Sequence, residues 1–139
     1  MGNNCKFLYI AAIQGGGIVK SKFDNYTKNP RKVNEGVLLK IINSNIKTEI
    51  GGKYKFKKIN SIQTFKNNFP LTDYSFYEDY IRRMGEGEKK VLLSKDIEYF
   101  GHTSGTTGKQ KLIPVTKNSR KIASKYMAFY INKVCYDSF

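Results

Sequence analysis

The sequence predicts an α/β chain, with helices first and a strand–loop–strand–helix unit after them. Apolar residues recur at helical spacing in stretches near 33–42, 77–84 and 122–134. Two β-leaning stretches, 91–100 and 112–115, flank a glycine- and threonine-rich segment at 103–108. With 139 residues, 40% of them hydrophobic, the chain is about one small domain, and ten Tyr and nine Phe argue against disorder because burial rewards them.

Residues 1–32 form an N-terminal segment of unassigned role, and 33–139 form the domain that carries the loop. The apolar run Phe7 to Ile13 is too short to span a bilayer, and the glycines at 15–17 after it read as a flexible joint rather than a dinucleotide fingerprint. The start Met1-Gly-Asn-Asn-Cys5 hints at lipidation, but Lys6 stands where a myristoylation motif wants Ser or Thr. Val33, Val37, Leu38, Ile41 and Ile42 mark one helical face, stopped at Asn43-Ser-Asn45. Tyr54 and Phe56 alternate with lysines, which suits a short half-buried strand or an extended linker. Ser61 is placed to cap a helix running to about Asn68, and Pro70 prevents its continuation.

Tyr77, Tyr80, Ile81 and Met84 mark a third face, closed by Gly85-Glu-Gly87. Val91 to Leu93 and Ile97 to Phe100 lean toward strand and feed the 103–108 segment. Leu112 to Val115 returns as a strand that Pro114 pushes to a sheet edge or ladder end. Thr116 then caps a last helix with a stripe of Ile122, Tyr126, Phe129, Tyr130 and Val134, which nothing later in the sequence covers.

A net charge of +14, from 25 basic and 11 acidic residues, attracts phosphates, nucleic acid or acidic surfaces. The positive charge is mostly scattered Lys, with Arg occurring four times, which favours a solvated surface over a base-reading one. Cys5 and Cys135 lack metal-binding spacing and His102 stands alone, so no metal site is expected and the thiols are expected reduced in a cytoplasmic protein. Glu78 and Asp79 point apart on a helix and make a poor acid/base pair, while Arg82 and Arg83 suit its negative end. No catalytic residue is assigned.

The chemistry is concentrated in Thr103, Ser104, Gly105, Thr106, Thr107, Gly108, Lys109 and Lys111. Glycines let successive N–H groups converge on an anion, hydroxyls add hydrogen bonds, and lysines neutralise charge. A Walker A loop is excluded, because Thr103 replaces its first glycine and Gln110 follows Lys109. Composition alone does not separate a phosphate cradle from a Gly/Ser/Thr-rich turn that binds nothing.

The string Thr103-Ser-Gly-Thr-Thr-Gly-Lys-Gln-Lys111 resembles the [ST]SGTTGxPK signature of adenylate-forming enzymes. Gln110 stands in place of a turn-shaping Pro. The continuation Lys111-Leu-Ile-Pro-Val-Thr116 resembles that of the GH3 family. Upstream, Asn45-Ile-Lys-Thr48 with Gly51, then Phe56, Ile59, Phe65, Pro70, Tyr74, Tyr80-Ile81-Arg82-Arg83 and Gly87-Glu88, is similar to the N-terminal stretch of GH3 proteins.

The resemblance, over roughly 33–125, implies the N-terminal part of an adenylate-forming large domain, an incomplete fold. It implies an ATP-dependent acyl-acid amido synthetase: a carboxylic acid attacks the α-phosphate of Mg-ATP, and an amino-acid amine then displaces AMP. Residues 103–111 would hold the β- and γ-phosphates by electrostatics and positioning. The family's adenine pocket, ribose- and metal-binding acids and catalytic lysine all follow this loop. The chain is therefore expected to be a fragment inactive alone, partnered by the remainder of the enzyme, with no membrane and no specific nucleic acid. The rivals are an acyl-CoA ligase type of adenylate former, a basic nucleic-acid-binding module, and a truncated reading frame without activity.

Overall fold

The computed structural model describes residues 20–103 and 110–137, with 132–137 by backbone alone. The described residues fall into two compact units, one within 31–117 and one combining 20–30 with 118–137. The triple glycine and Cys5 lie outside the described residues. The order of elements is helices, strand, strand, helix, a mixed helical chain with a two-stranded sheet.

In the larger unit, helix α1 (Pro30–Ser44) opens on a proline whose fixed φ suits a first helical turn and whose missing N–H needs no partner there. Its expected face is corrected in part. Ile42 is buried and Leu38 and Leu39 pack with it, but Val37 and Ile41 are 53% and 54% exposed. Two apolar stripes overlap on this helix, and the core takes the one through Leu38, Leu39 and Ile42, with Ile46 of the following turn packed beside them.

Neither a strand nor a linker forms at Tyr54–Phe56. Thr48 starts a short helix α2 (Glu49–Lys53), accepting the Gly51 N–H on its side chain at 3.0 Å. Lys55, in the left-handed region at φ 53°, then turns the chain into a 3₁₀ turn (Phe56–Lys58) that buries Phe56. The alternation of lysine and aromatic residues arises from two successive turns, not from a pleat. A period-2 reading cannot distinguish the two over so few residues.

Helix α3 (Ile62–Asn68) begins at Ser61 as expected, with a reciprocal capping box between Ser61 and Thr64. Glu35 of α1 accepts the Ile62 N–H at 3.0 Å, so a second free donor of that helix end is satisfied from a neighbouring element. Helix α4 (Ser75–Gly85) buries Tyr80, Ile81 and Met84, the face read from the sequence.

Two apolar clusters form the core. Ile42, Ile50, Phe56 and Ile59 centre the first, and Tyr80, Met84 and Val91 the second, with Phe76 and Leu92 packed against both. Aromatic rings run between them: Phe65 stacks on Phe69 at 5.3 Å, and Phe76 meets Phe69 at 6.1 Å and Tyr80 at 5.9 Å.

A polar knot joins α1, α2 and the segment after α4. Asn45 is buried, donates to the Ile41 carbonyl at 2.9 Å and accepts the Ser94 N–H at 2.9 Å. Its carbonyl takes bonds from the Thr48 hydroxyl and N–H. The first N–H groups of α2 reach across to the same segment, Glu49 to Lys90 O at 2.8 Å and Ile50 to Val91 O at 3.3 Å. Val91, 1% exposed, is therefore part of a strap and not of a sheet. The strap leads into strand β1 (Ile97–His102), antiparallel to β2 (Leu112–Thr116). Pro114 faces Phe100 in this two-stranded sheet, where no third strand among the described residues calls for its missing N–H.

In the smaller unit, residues 20–27 are helical, and helix α5 (Lys117–Asp137) contributes residues 118–137. Phe129 is half-buried with its ring 5.3 Å from Phe23, while Ile122, Tyr126 and Tyr130 of the same stripe are exposed. Among the described residues no helix is long and apolar enough to cross a membrane.

At Gly51 a Cβ would land on the Asn45 carbonyl oxygen and within 3.0 Å of the Ile46 carbonyl oxygen, whereas one at Gly52 would meet nothing. Both residues are helical. Gly51→Ala should therefore cost about 3 kcal/mol through overpacking of backbone, and Gly52→Ala should stabilise by about 0.5 kcal/mol. Urea unfolding of the two variants checks this; equal midpoints would refute the close approach.

Candidate functional site

The 103–111 segment is carried on the β1–β2 hairpin, and the last ladder pair is His102 opposite Leu112. One step further, the Thr103 N–H donates to the Lys111 carbonyl at 3.1 Å and the Lys111 N–H donates to the Thr103 hydroxyl at 3.3 Å. Thr103 and Lys111, the first and last of the expected phosphate ligands, are thereby fixed against each other. Ser104, Gly105, Thr106, Thr107, Gly108 and Lys109 lie outside the described residues.

The hairpin is anchored by apolar contacts on one strand and a hydroxyl on the other. Ile97 and Phe100 of β1 pack on the Tyr80–Met84–Val91 cluster. On β2, the Tyr74 hydroxyl accepts the Leu112 N–H at 2.9 Å and donates to the Leu112 carbonyl at 3.3 Å. The Lys111 ammonium stands 5.3 Å from the centre of the Tyr74 ring. His102 is exposed at the end of β1.

Arg83 organises the charges beneath the strap. It binds Glu49 of α2 at 2.6 Å and Glu88 of the strap at 2.7 Å, so its guanidinium pKa is raised, first by Glu88 and then by Glu49. Arg82 meets Asp79 and Glu86 at the exposed end of α4. Glu78 and Asp79 are both exposed, and Asp79 pairs with arginine and not with Glu78. Among the described residues no group of three His, Cys, Asp or Glu could hold a metal ion.

Tyr74 is the contact that motif reading passed over. It appears among the residues of the family resemblance, but a tyrosine just before a helix carries no signal for a hydroxyl aimed at a strand 38 residues later.

Residues 19–138 match the GH3 family N-terminal domain. The chain belongs to the GH3 family. Among its relatives, a jasmonoyl-L-amino acid synthetase of Nicotiana attenuata is 36% identical over 98 residues, which is 69% of this chain and 17% of that protein. An indole-3-acetic acid-amido synthetase of Arabidopsis thaliana is 32% identical over 93 residues, 66% of this chain and 17% of that protein. A 4-substituted benzoates-glutamate ligase of Arabidopsis thaliana is 29% identical over 97 residues, again 17% of its length. The GH3 chain thus spans about one sixth of the length of these curated relatives. Asn45, Thr48 and Gly51, which carried part of the resemblance, are the residues of the polar knot.

The Arg83 network gives a pH signature. Hydrogen bonding to Arg83 holds the Glu88 carboxyl below its ordinary value, so the folded state binds this proton less readily than the unfolded state. Its contribution is present above the unfolded value of about 4.3 and fades as pH falls through the folded value. The difference in urea midpoint between the native chain and Arg83→Met should shrink from pH 7 to pH 3. A difference that stays constant across that range would rule out the pairing as its source.

Proposed function

We propose that this chain supplies the triphosphate-holding hairpin of an ATP-dependent acyl-acid amido synthetase. In this reading the enzyme activates a carboxylic acid as its acyl-adenylate and joins it to an amino acid. The observation that carries the reading is the Thr103–Lys111 closure, which sets the Thr103 hydroxyl and the Lys111 backbone at the base of a segment with a phosphate-binding composition. The names of the relatives, each an amino-acid-conjugating synthetase or ligase, supply the reaction class.

The donor set fits a polyphosphate. Thr103, Ser104, Thr106 and Thr107 offer hydroxyls, Gly105 and Gly108 permit close backbone approach, and Lys109 and Lys111 supply positive charge. ATP contributes the leaving pyrophosphate, whose charge these residues stabilise and orient. Magnesium, the metal expected of this chemistry, is assigned no ligand among the described residues, which are poor in clustered acids. Catalytic roles are likewise assigned to none of them: the hairpin binds and orients. The acyl and amino-acid substrates are selected elsewhere in the enzyme.

The intact enzyme bearing this sequence should catalyse ATP–pyrophosphate exchange that depends on its carboxylic acid substrate. Lys109→Ala and Lys111→Ala should each lower that exchange by about 100-fold, the typical effect of removing one positioned charge-stabilising donor. Unchanged exchange in both variants would remove the phosphate role. Affinity for arbitrary DNA that falls steeply with salt, without affinity for ATP, would instead favour the nucleic-acid reading of the +14 charge.

A further inference from the structure

We propose that Tyr74 is a positioning residue for phosphate binding, holding Lys111 and the first peptide of β2 in the arrangement an anion meets. The inference rests on the phosphate reading of Thr103 and Lys111. Tyr74 stands at the residue before α4, yet its side chain does not cap that helix. The adjacent Asp73 does so, accepting from the Ser75 hydroxyl at 2.6 Å and the Phe76 N–H at 3.4 Å. The Tyr74 hydroxyl is thus committed to β2, where it occupies both the N–H and the carbonyl of Leu112. An aromatic ring present only for packing would leave those two groups, which point away from β1, to water.

The ring itself serves Lys111. At 5.3 Å from the ring centre the ammonium lies within cation–π range, and this contact narrows the rotamers of a long exposed side chain. A carboxylate partner would hold the ammonium more firmly but cancel its charge. The neutral ring restrains it while leaving the full charge for an anion, so less freedom is lost on binding. Thr103 closes the other side through its bonds to the Lys111 backbone. Backbone, side chain and the following peptide of one lysine are therefore each held, two of the three by Tyr74.

The test is titration of the 139-residue chain with inorganic tripolyphosphate, following the amide resonances of Thr103, Lys111 and Leu112. Tyr74→Phe, which keeps the ring, should weaken affinity about 5-fold. Tyr74→Leu should lose about 3-fold more. In a Lys111→Ala background Tyr74→Leu should weaken affinity by only about 5-fold, the share carried by the hydroxyl, because the ammonium that the ring holds is gone. A tyrosine with only a structural role would weaken binding equally in both backgrounds, and that result overturns the inference. Wild-type affinity in Tyr74→Phe also overturns it, and this variant decides if Tyr74→Leu fails to fold. Weakening by Lys111→Ala with both Tyr74 variants silent overturns the inference and spares the phosphate reading. Absence of saturable shifts in the native chain, or full affinity in Lys111→Ala, removes both.

Discussion

The architecture of the 31–117 unit depends on the buried carbonyl of Asn45, which lies too close to Gly51 for any side chain to intervene. That oxygen takes two bonds from Thr48 while the Asn45 side chain reaches back into α1 and forward to Ser94. Buried polar groups carry a heavy desolvation cost unless satisfied, and none of the described buried side-chain polar atoms lacks a partner. The knot therefore fixes one arrangement of α1, α2 and the strap. The strap delivers β1, and β1 with β2 presents Thr103 and Lys111. The geometry of the hairpin base is thus tied to hydrogen bonds in the interior.

Helices with a single apolar face were legible in the sequence. Ser61 with Thr64, and the Tyr80–Ile81–Met84 face, each combine a local signal with a spacing that only one structure satisfies. Residues near 37–41 and 54–58 were harder. Val37 and Ile41 belong to a second apolar stripe on a helix too evenly apolar to declare its buried side, and Phe56 is buried by a turn of three residues. The signal for α2 was nonetheless present in Thr48, a hydroxyl three residues before the N–H it caps. Of the candidate site, its ends were recognisable by residue type. Its support by Tyr74 was not, because nothing local encodes a contact between a helix start and a distant strand.

Charge takes on a more specific meaning once the scaffold is known. Several positive groups are engaged in the scaffold: Arg83 bridges Glu49 and Glu88, Arg82 bridges Asp79 and Glu86, and Lys53 donates to the Tyr80 hydroxyl. Most of these pairs are exposed and individually contribute little to stability. Lys53 and Lys111 both stand over neutral rings, and of the two Lys111 is the one at the base of the hairpin. A general excess of lysine can draw an anion toward the surface, but holding it at one place requires charge on a restrained backbone. The hairpin meets that requirement in a chain belonging to the GH3 family.

The proposed phosphate role requires triphosphate to be received at this hairpin and not by the lysine-rich surface at large. Amide hydrogen exchange of the chain with ATP, tripolyphosphate or adenosine addresses it directly. Saturable protection at Thr103, Lys111 and Leu112 is expected with ATP and with tripolyphosphate, and none with adenosine. Protection spread over Lys47, Lys55, Lys57 and Lys58 with the hairpin unaffected would contradict it.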